Sequence, residues 1–170
     1  MGNIIMKLVK SAYSNSDAIN KVIGYISTNE HKPVLTGGYG FFPPTADNAI
    51  ASFTEVDNRN LTDSNSRKLW HLILALDNTF SYRHILNIAN SISSIYESNG
   101  HHNFFGIHTP KTPKEGRGSH IHFAIQYYGY SYYYPPLTPD RFYAILEYQT
   151  DMLSGIYNYK FKWGGDEIHV

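Results

Sequence analysis

The sequence has no cysteine. That removes disulfide frameworks, thiolate nucleophiles and every zinc site that needs sulfur ligands, the nucleobase-deaminase pattern included. Surplus charge is missing too. The 14 Lys and Arg are balanced by 14 Asp and Glu, which argues against a generic polyanion binder held by bulk charge. No apolar run reaches bilayer-spanning length, and the apolar stretch within Met1–Lys10 is too short for a signal peptide. The expected compartment is the cytoplasm, with no membrane partner. No His-Glu-x-x-His motif occurs, so zinc hydrolases of that type are excluded.

Histidine and tyrosine are abundant instead, with 9 and 15 copies. The 170 residues suit one domain over residues 1–170, long enough to bury its own core. Asn3–Val9 is apolar enough for a strand. Ser14 or Ser16 caps a helix over about Asp17–Ile26, with Ile19, Val22, Ile23 and Ile26 at helical spacing. His31–Pro44 reads as a loop punctuated by Gly37, Gly38, Gly40, Pro43 and Pro44. A helix over Thr45–Asn58 follows, then a strand over Lys68–Leu76. Ser81 opens a helix to about Glu97, with Ile85, Ile88, Ala89, Ile92, Ile95 and Tyr96 on one stripe. Asn103–His108 and His120–Tyr128 read as strands joined by a long hairpin connection. Thr138 caps a helix over Pro139–Leu153, and Tyr157–Trp163 is a last strand. Hairpin-paired strands mixed with crossover helices predict an α+β fold: a mainly antiparallel central sheet of about five strands with flanking helices.

The informative cluster is His108, His120 and His122. Residues two apart on a strand project to the same face, so His120 and His122 share one, and the hairpin brings His108 beside them. Three converging imidazoles make a candidate metal site. They suit divalent ions and leave coordination positions open for substrate oxygens. His71 lies on the more polar face of its strand, where it either hydrogen-bonds a ligand imidazole or accepts a proton. Asp77, at the end of that strand, is a second candidate for orienting a ligand. His31, His84, His101, His102 and His169 lack a partner pattern and read as surface residues.

Gly106–Ile125, GIHTPKTPKEGRGSHIHFAI, resembles the metal motif of the HUH endonucleases, in which U is a hydrophobic residue. It is most like that of plasmid relaxases of the MobA mobilisation type. Eleven residues, Thr109–Ser119, separate the first histidine from the pair. Lys68–Leu76 with His71 resembles the strand that precedes the family's long helix. Gly24–Lys32, GYISTNEHK, resembles the segment that carries its nucleophilic tyrosine. A tyrosine ahead of the histidine motif is the relaxase order; replication initiators place it after. The chain departs from the pattern at Thr109-Pro110, where relaxases often carry an acidic residue soon after the first histidine.

The resemblance implies metal-dependent nicking of single-stranded DNA at an origin of transfer, through a covalent 5′-phosphotyrosine. It implies manganese or magnesium on His108, His120 and His122, with zinc, nickel and cobalt as alternatives. Accessory mobilisation proteins are implied partners. Tyr25 is the first candidate nucleophile; Tyr39, Tyr143 and Tyr148 are rivals. Lys32, Lys111, Lys114 and Arg117 are candidate phosphate contacts near the histidines. Tyr128 and Tyr130, in the run Tyr127–Pro136, are candidate base-stacking platforms beside the metal site. Competing readings are a rolling-circle replication initiator of the same class, a non-catalytic nucleic-acid-binding relative, and a simple metal-dependent hydrolase.

Overall fold

Alternating and continuous apolar runs build the strands, and 3.6-residue stripes build the helices that cover them. The computed structural model describes residues 2–28, 33–60, 66–110 and 118–162. In chain order the elements are β1 (Asn3–Leu8), α1 (Ala18–Thr28), β2 (Leu35–Tyr39), α2 (Ala46–Arg59) and β3 (Leu69–Leu76). Then come α3 (Tyr82–Ser98), β4 (Asn103–His108), β5 (His120–Gln126), α4 (Pro139–Ser154) and β6 (Asn158–Lys162). Ser81 and Thr45 cap α3 and α2, accepting from the backbone N–H of His84 and Asn48. Thr138 precedes α4 as expected, but its hydroxyl makes no capping bond.

The architecture is α+β. The six strands form one sheet in the order β2-β4-β5-β3-β1-β6. Every pairing is antiparallel except β1 with β6, which is parallel. The additional strand is β2, which lies inside the segment expected to be a loop. Its glycines have packing reasons: a Cβ on Gly37 would come within 2.3 Å of the Phe105 ring, and one on Gly38 within 2.0 Å of the Asn103 carbonyl oxygen.

The period of two sorts the residues between the faces. Met6, Trp70, Leu72, Leu74, Phe123 and Ile125 face α3 and α4, with Ile88, Ile92 and Phe142 against them. Trp70 stacks on Phe142, and its indole N–H donates to the Leu137 carbonyl at 2.8 Å. On the other face Leu69, Phe104 and Ala124 meet Ile19, Val22, Ile23 and Ile26 of α1 and Phe53 of α2. Lys68 and Asp57, at 2.7 Å and almost fully buried, tie α2 to the start of β3. Among the described residues, no helix is long and apolar enough to cross a membrane.

His101 is not a surface residue. It is fully buried, its Nδ1–H donates to the Gln126 carbonyl at 2.8 Å, and its Nε2 accepts from the Arg141 guanidinium. Burial first, then the Arg141 charge, holds its pKa down at about 4. The unfolded chain therefore takes up this proton first, and the stabilisation present above about pH 6.5 is lost as the pH falls towards about 4. The expected loss from this residue is about 3 kcal/mol. Denaturant midpoints across that range should fall in the wild type and fall less in His101→Asn. Parallel profiles for the two proteins would exclude His101 as the cause.

Candidate functional site

The hairpin β4–β5 sets the histidines by register. His108 pairs with His120, and Gly106 with His122. On the other side of β5, His122 pairs with Ile73 and Ala124 with His71. His108, His120, His122 and His71 therefore share one face. The ring centroids of His108, His120 and His122 form a triangle with sides of 5.0, 5.1 and 5.0 Å. That is about the spacing that three imidazoles bonded at ~2.1 Å to one ion require.

The ring orientations are not yet those of a formed centre. His108 and His120 lie stacked at 7°, and lone pairs in two parallel planes do not converge on one atom. Among the described residues, no group of three His, Asp or Glu side chains stands ready to hold a metal ion. The donor set and spacing fit such an ion, and the stacked rings of His108 and His120 would have to reorient to hold it.

All three histidines are buried. Burial, and next the neighbouring His71, hold the pKa of His122 well below its ordinary value, which keeps the ring neutral at physiological pH. Burial alone lowers His71 to about 4. His71 Nε2 lies 3.0 Å from His122 Nδ1, and His71 Nδ1 lies 3.3 Å from the Tyr13 hydroxyl. One tautomer pattern leaves His122 Nε2 with a lone pair for a ligand. In it, His122 Nδ1–H donates to His71 and His71 Nδ1–H donates to Tyr13. Both His71 nitrogens are then engaged, so His71 is placed to orient His122 rather than to take a substrate proton.

Tyr25 reaches the same place from α1. Its ring stands edge-on to His122 at 5.5 Å and to His71 at 6.1 Å, with 48% of the residue exposed. The approach depends on Gly106. A Cβ there would sit 2.8 Å from Ile26 Cγ2 and 3.2 Å from the Ile26 carbonyl oxygen, one residue along from Tyr25. Gly106→Ala is expected to push the end of α1 off the sheet and to cost about 1–3 kcal/mol, read from the denaturation midpoint. An unchanged midpoint would show that α1 yields freely.

The rival tyrosines lie elsewhere. The Tyr39 hydroxyl is 3.1 Å from Ser94 of α3. Tyr143 and Tyr148 belong to α4, which packs on the opposite face of the sheet. Asp77 does not orient an imidazole: its carboxylate accepts from the backbone N–H groups of Asn3, at 2.6 Å, and Thr79, at 3.0 Å. Tyr128 and Tyr130 are not beside the histidines. They follow β5 at the end away from His120, where Tyr128 is hydrogen-bonded to Ser66 and Tyr130 stacks on His102. Lys32, Lys111, Lys114 and Arg117 lie outside the described residues.

Tyr13 is the site residue that sequence reasoning missed. It belongs to no helix or strand and has a left-handed backbone, φ 43°, unusual for a bulky side chain. Its carbonyl accepts from Lys68 N–H at 2.9 Å, which anchors it beside β3. Such conformations cost roughly 1–3 kcal/mol and concentrate at functional sites. Burial raises the Tyr13 hydroxyl to about 12. It is thus a poorer source of phenolate than an ordinary tyrosine, which favours an orienting role.

Comparison with family models, with curated proteins and with solved structures finds no match for this chain.

Proposed function

We propose that the protein is a metal-dependent single-strand DNA nicking and strand-transfer enzyme of the relaxase type, with Tyr25 as nucleophile. The observation that carries this reading is the edge-on approach of Tyr25 to His122, beside three clustered histidines. The tyrosine also precedes the histidine motif in the chain, as the resemblance requires. Tyr143 and Tyr148 lie across the sheet from the cluster, which favours the relaxase order over that of a replication initiator. In this reading the protein works in the cytoplasm at an origin of transfer, with accessory mobilisation proteins as partners.

His108, His120 and His122 would hold a divalent ion, manganese or magnesium first. When bound, the ion supplies Lewis-acid stabilisation to the oxygens of the scissile phosphate. The chain's own residues do the rest. Tyr13 and His71 fix the ring of His122, and α1 fixes Tyr25 over it. The Tyr25 oxygen attacks phosphorus, an O–P bond forms, and the bond from phosphorus to the 3′ oxygen breaks. The phenolic proton leaves to water at the exposed side of the ring, and the departing 3′ oxygen is protonated from solvent. One phosphodiester replaces another, so the strand can be rejoined.

The test is adduct trapping. A labelled pool of randomised single-stranded oligonucleotides, incubated with the protein and manganese, should yield a band that survives denaturing electrophoresis and is removed by protease. Sequencing the trapped strands would give the nick site. Turnover of the pool without any adduct would point to a hydrolase, and neither turnover nor adduct would leave only a binding protein.

A further inference from the structure

We infer that the cleft between the end of α2 and residues 128–136 is a nucleobase pocket, which takes one unstacked base of a bound single strand. The inference rests on the single-strand reading above and adds a second site to it. The cleft has a volume of about 180 Å³ and opens to solvent, which gives room for a planar base. Tyr128, Tyr130, Tyr132, Tyr134, Arg59 and Asn60 line it, and no carboxylate stands among its lining residues within the described part of the chain.

Its aromatic wall is held in place before any ligand arrives. His102 Nδ1 lies 2.9 Å from Ser52 Oγ on α2, and the Tyr130 ring stacks on His102 at 5.4 Å and 16°. Tyr134 packs 5.0 Å from Tyr130 and lies over Gly100, where a Cβ would come within 2.0 Å of the ring. Gly100 has φ 90° and accepts the Tyr130 N–H through its carbonyl at 2.9 Å. Any other residue at position 100 would be strained and would displace the wall. Tyr132, 90% exposed, completes the aromatic lining from the solvent side.

The chemistry selects a nucleotide. Fixed aromatic faces bind planar rings without regard to their edges. The Arg59 guanidinium, half-exposed and in a long, solvent-exposed pairing with Glu55 at 3.9 Å, has N–H groups left for an adjoining phosphate. The Asn60 amide, which donates one N–H to the Val56 carbonyl at 2.8 Å, keeps its oxygen for a base edge. The position suits a base away from the cut. His120 and Gln126 end a seven-residue strand, about 20 Å apart at ~3.4 Å per residue. A single-strand footprint of ~4–16 nucleotides is long enough to reach across that separation.

The experiment is fluorescence anisotropy of the full chain with fluorescein-labelled oligothymidine and with an abasic strand of equal length. Both Arg59→Ala and Tyr132→Ala alter exposed side chains, and unchanged melting curves would verify their folding. The expected result is binding of oligothymidine about tenfold weaker in each variant. Abasic DNA should bind the wild type as weakly as oligothymidine binds the variants. Equal affinity of wild type and folded variants for oligothymidine overturns the pocket. So does oligoproline binding lost in Tyr132→Ala, with no oligothymidine binding, because a proline-recognition groove would behave that way. The two proposals separate cleanly. Adduct formation with variant-insensitive binding keeps the nuclease and removes the pocket, while the reverse pattern keeps the pocket and removes the nuclease.

Discussion

Tyr25→Phe is expected to abolish the covalent protein–DNA adduct, with a rate loss on the order of 10³-fold or more, as for removal of a nucleophile that acts within a unit. The ring would keep its edge contacts with His122 and His71, so melting temperature and manganese affinity should match the wild type. The decisive comparison is with Tyr13→Phe. Tyr13 is also hydrogen-bonded into the cluster, but burial raises its hydroxyl to about 12 and its partner is His71. Tyr13→Phe should slow adduct formation by weakening an orienting contact, and adduct should still accumulate. If Tyr25→Phe forms adduct at the wild-type rate while Tyr13→Phe forms none, the two roles are exchanged.

His122→Ala is expected to have the second large effect, on metal binding. His122 touches most of the site: the rings of His108 and His120, the Nε2 of His71 and the ring of Tyr25. Its removal deletes a proposed ligand and leaves His71 Nε2 with no His122 to meet. Calorimetric titration with manganese should show stoichiometric binding in the wild type and none in the variant. His71→Ala should fall between them, since loss of an outer hydrogen-bond partner typically costs ~10–100-fold in metal affinity. A saturating ion should also raise wild-type stability, by about 2.7 kcal/mol at a hundredfold excess over Kd, and leave His122→Ala unmoved. Equal manganese affinity in wild type and His122→Ala would remove the histidine cluster as the metal site.

Most of the fold was legible because its strongest elements are also its most periodic. The stripe from Ile85 to Tyr96 became α3, and the apolar run that ends at Leu76 became β3. The His-x-His spacing carried its meaning directly, since strand alternation puts His120 and His122 on one face in any register. β2 was hidden because Gly37 and Gly38 weaken a strand locally; what makes them strand residues is their pairing with Phe105 and Phe104 of β4, distant in sequence. His101 read as exposed because its partners, Gln126 and Arg141, come from two other elements. Tyr13 gave no periodic signal, being held by a backbone bond to Lys68 and a side-chain contact with His71. The aromatic run after β5 is close to the histidines in sequence, which suggests that the two adjoin. A strand of seven residues carries it to the other end of the sheet.

The pairing of His108 with His120 has a consequence for which length changes the chain tolerates. This pair opens the β4–β5 ladder, so the two ligand strands are aligned by their own backbone bonds and not by the connection between them. Inserting residues between Thr109 and Ser119 should leave the cluster intact, since doubling the length of a connection costs only about 0.6 kcal/mol in closure entropy. Deleting one residue between His122 and Gln126 is different. It sets the His-x-His segment out of phase with the rest of β5, and either those histidines or the apolar residues beyond them must turn to the wrong face. Natural or engineered length variants should therefore collect in the connection and be absent from the strand, although both lie within a few residues of the same ligands.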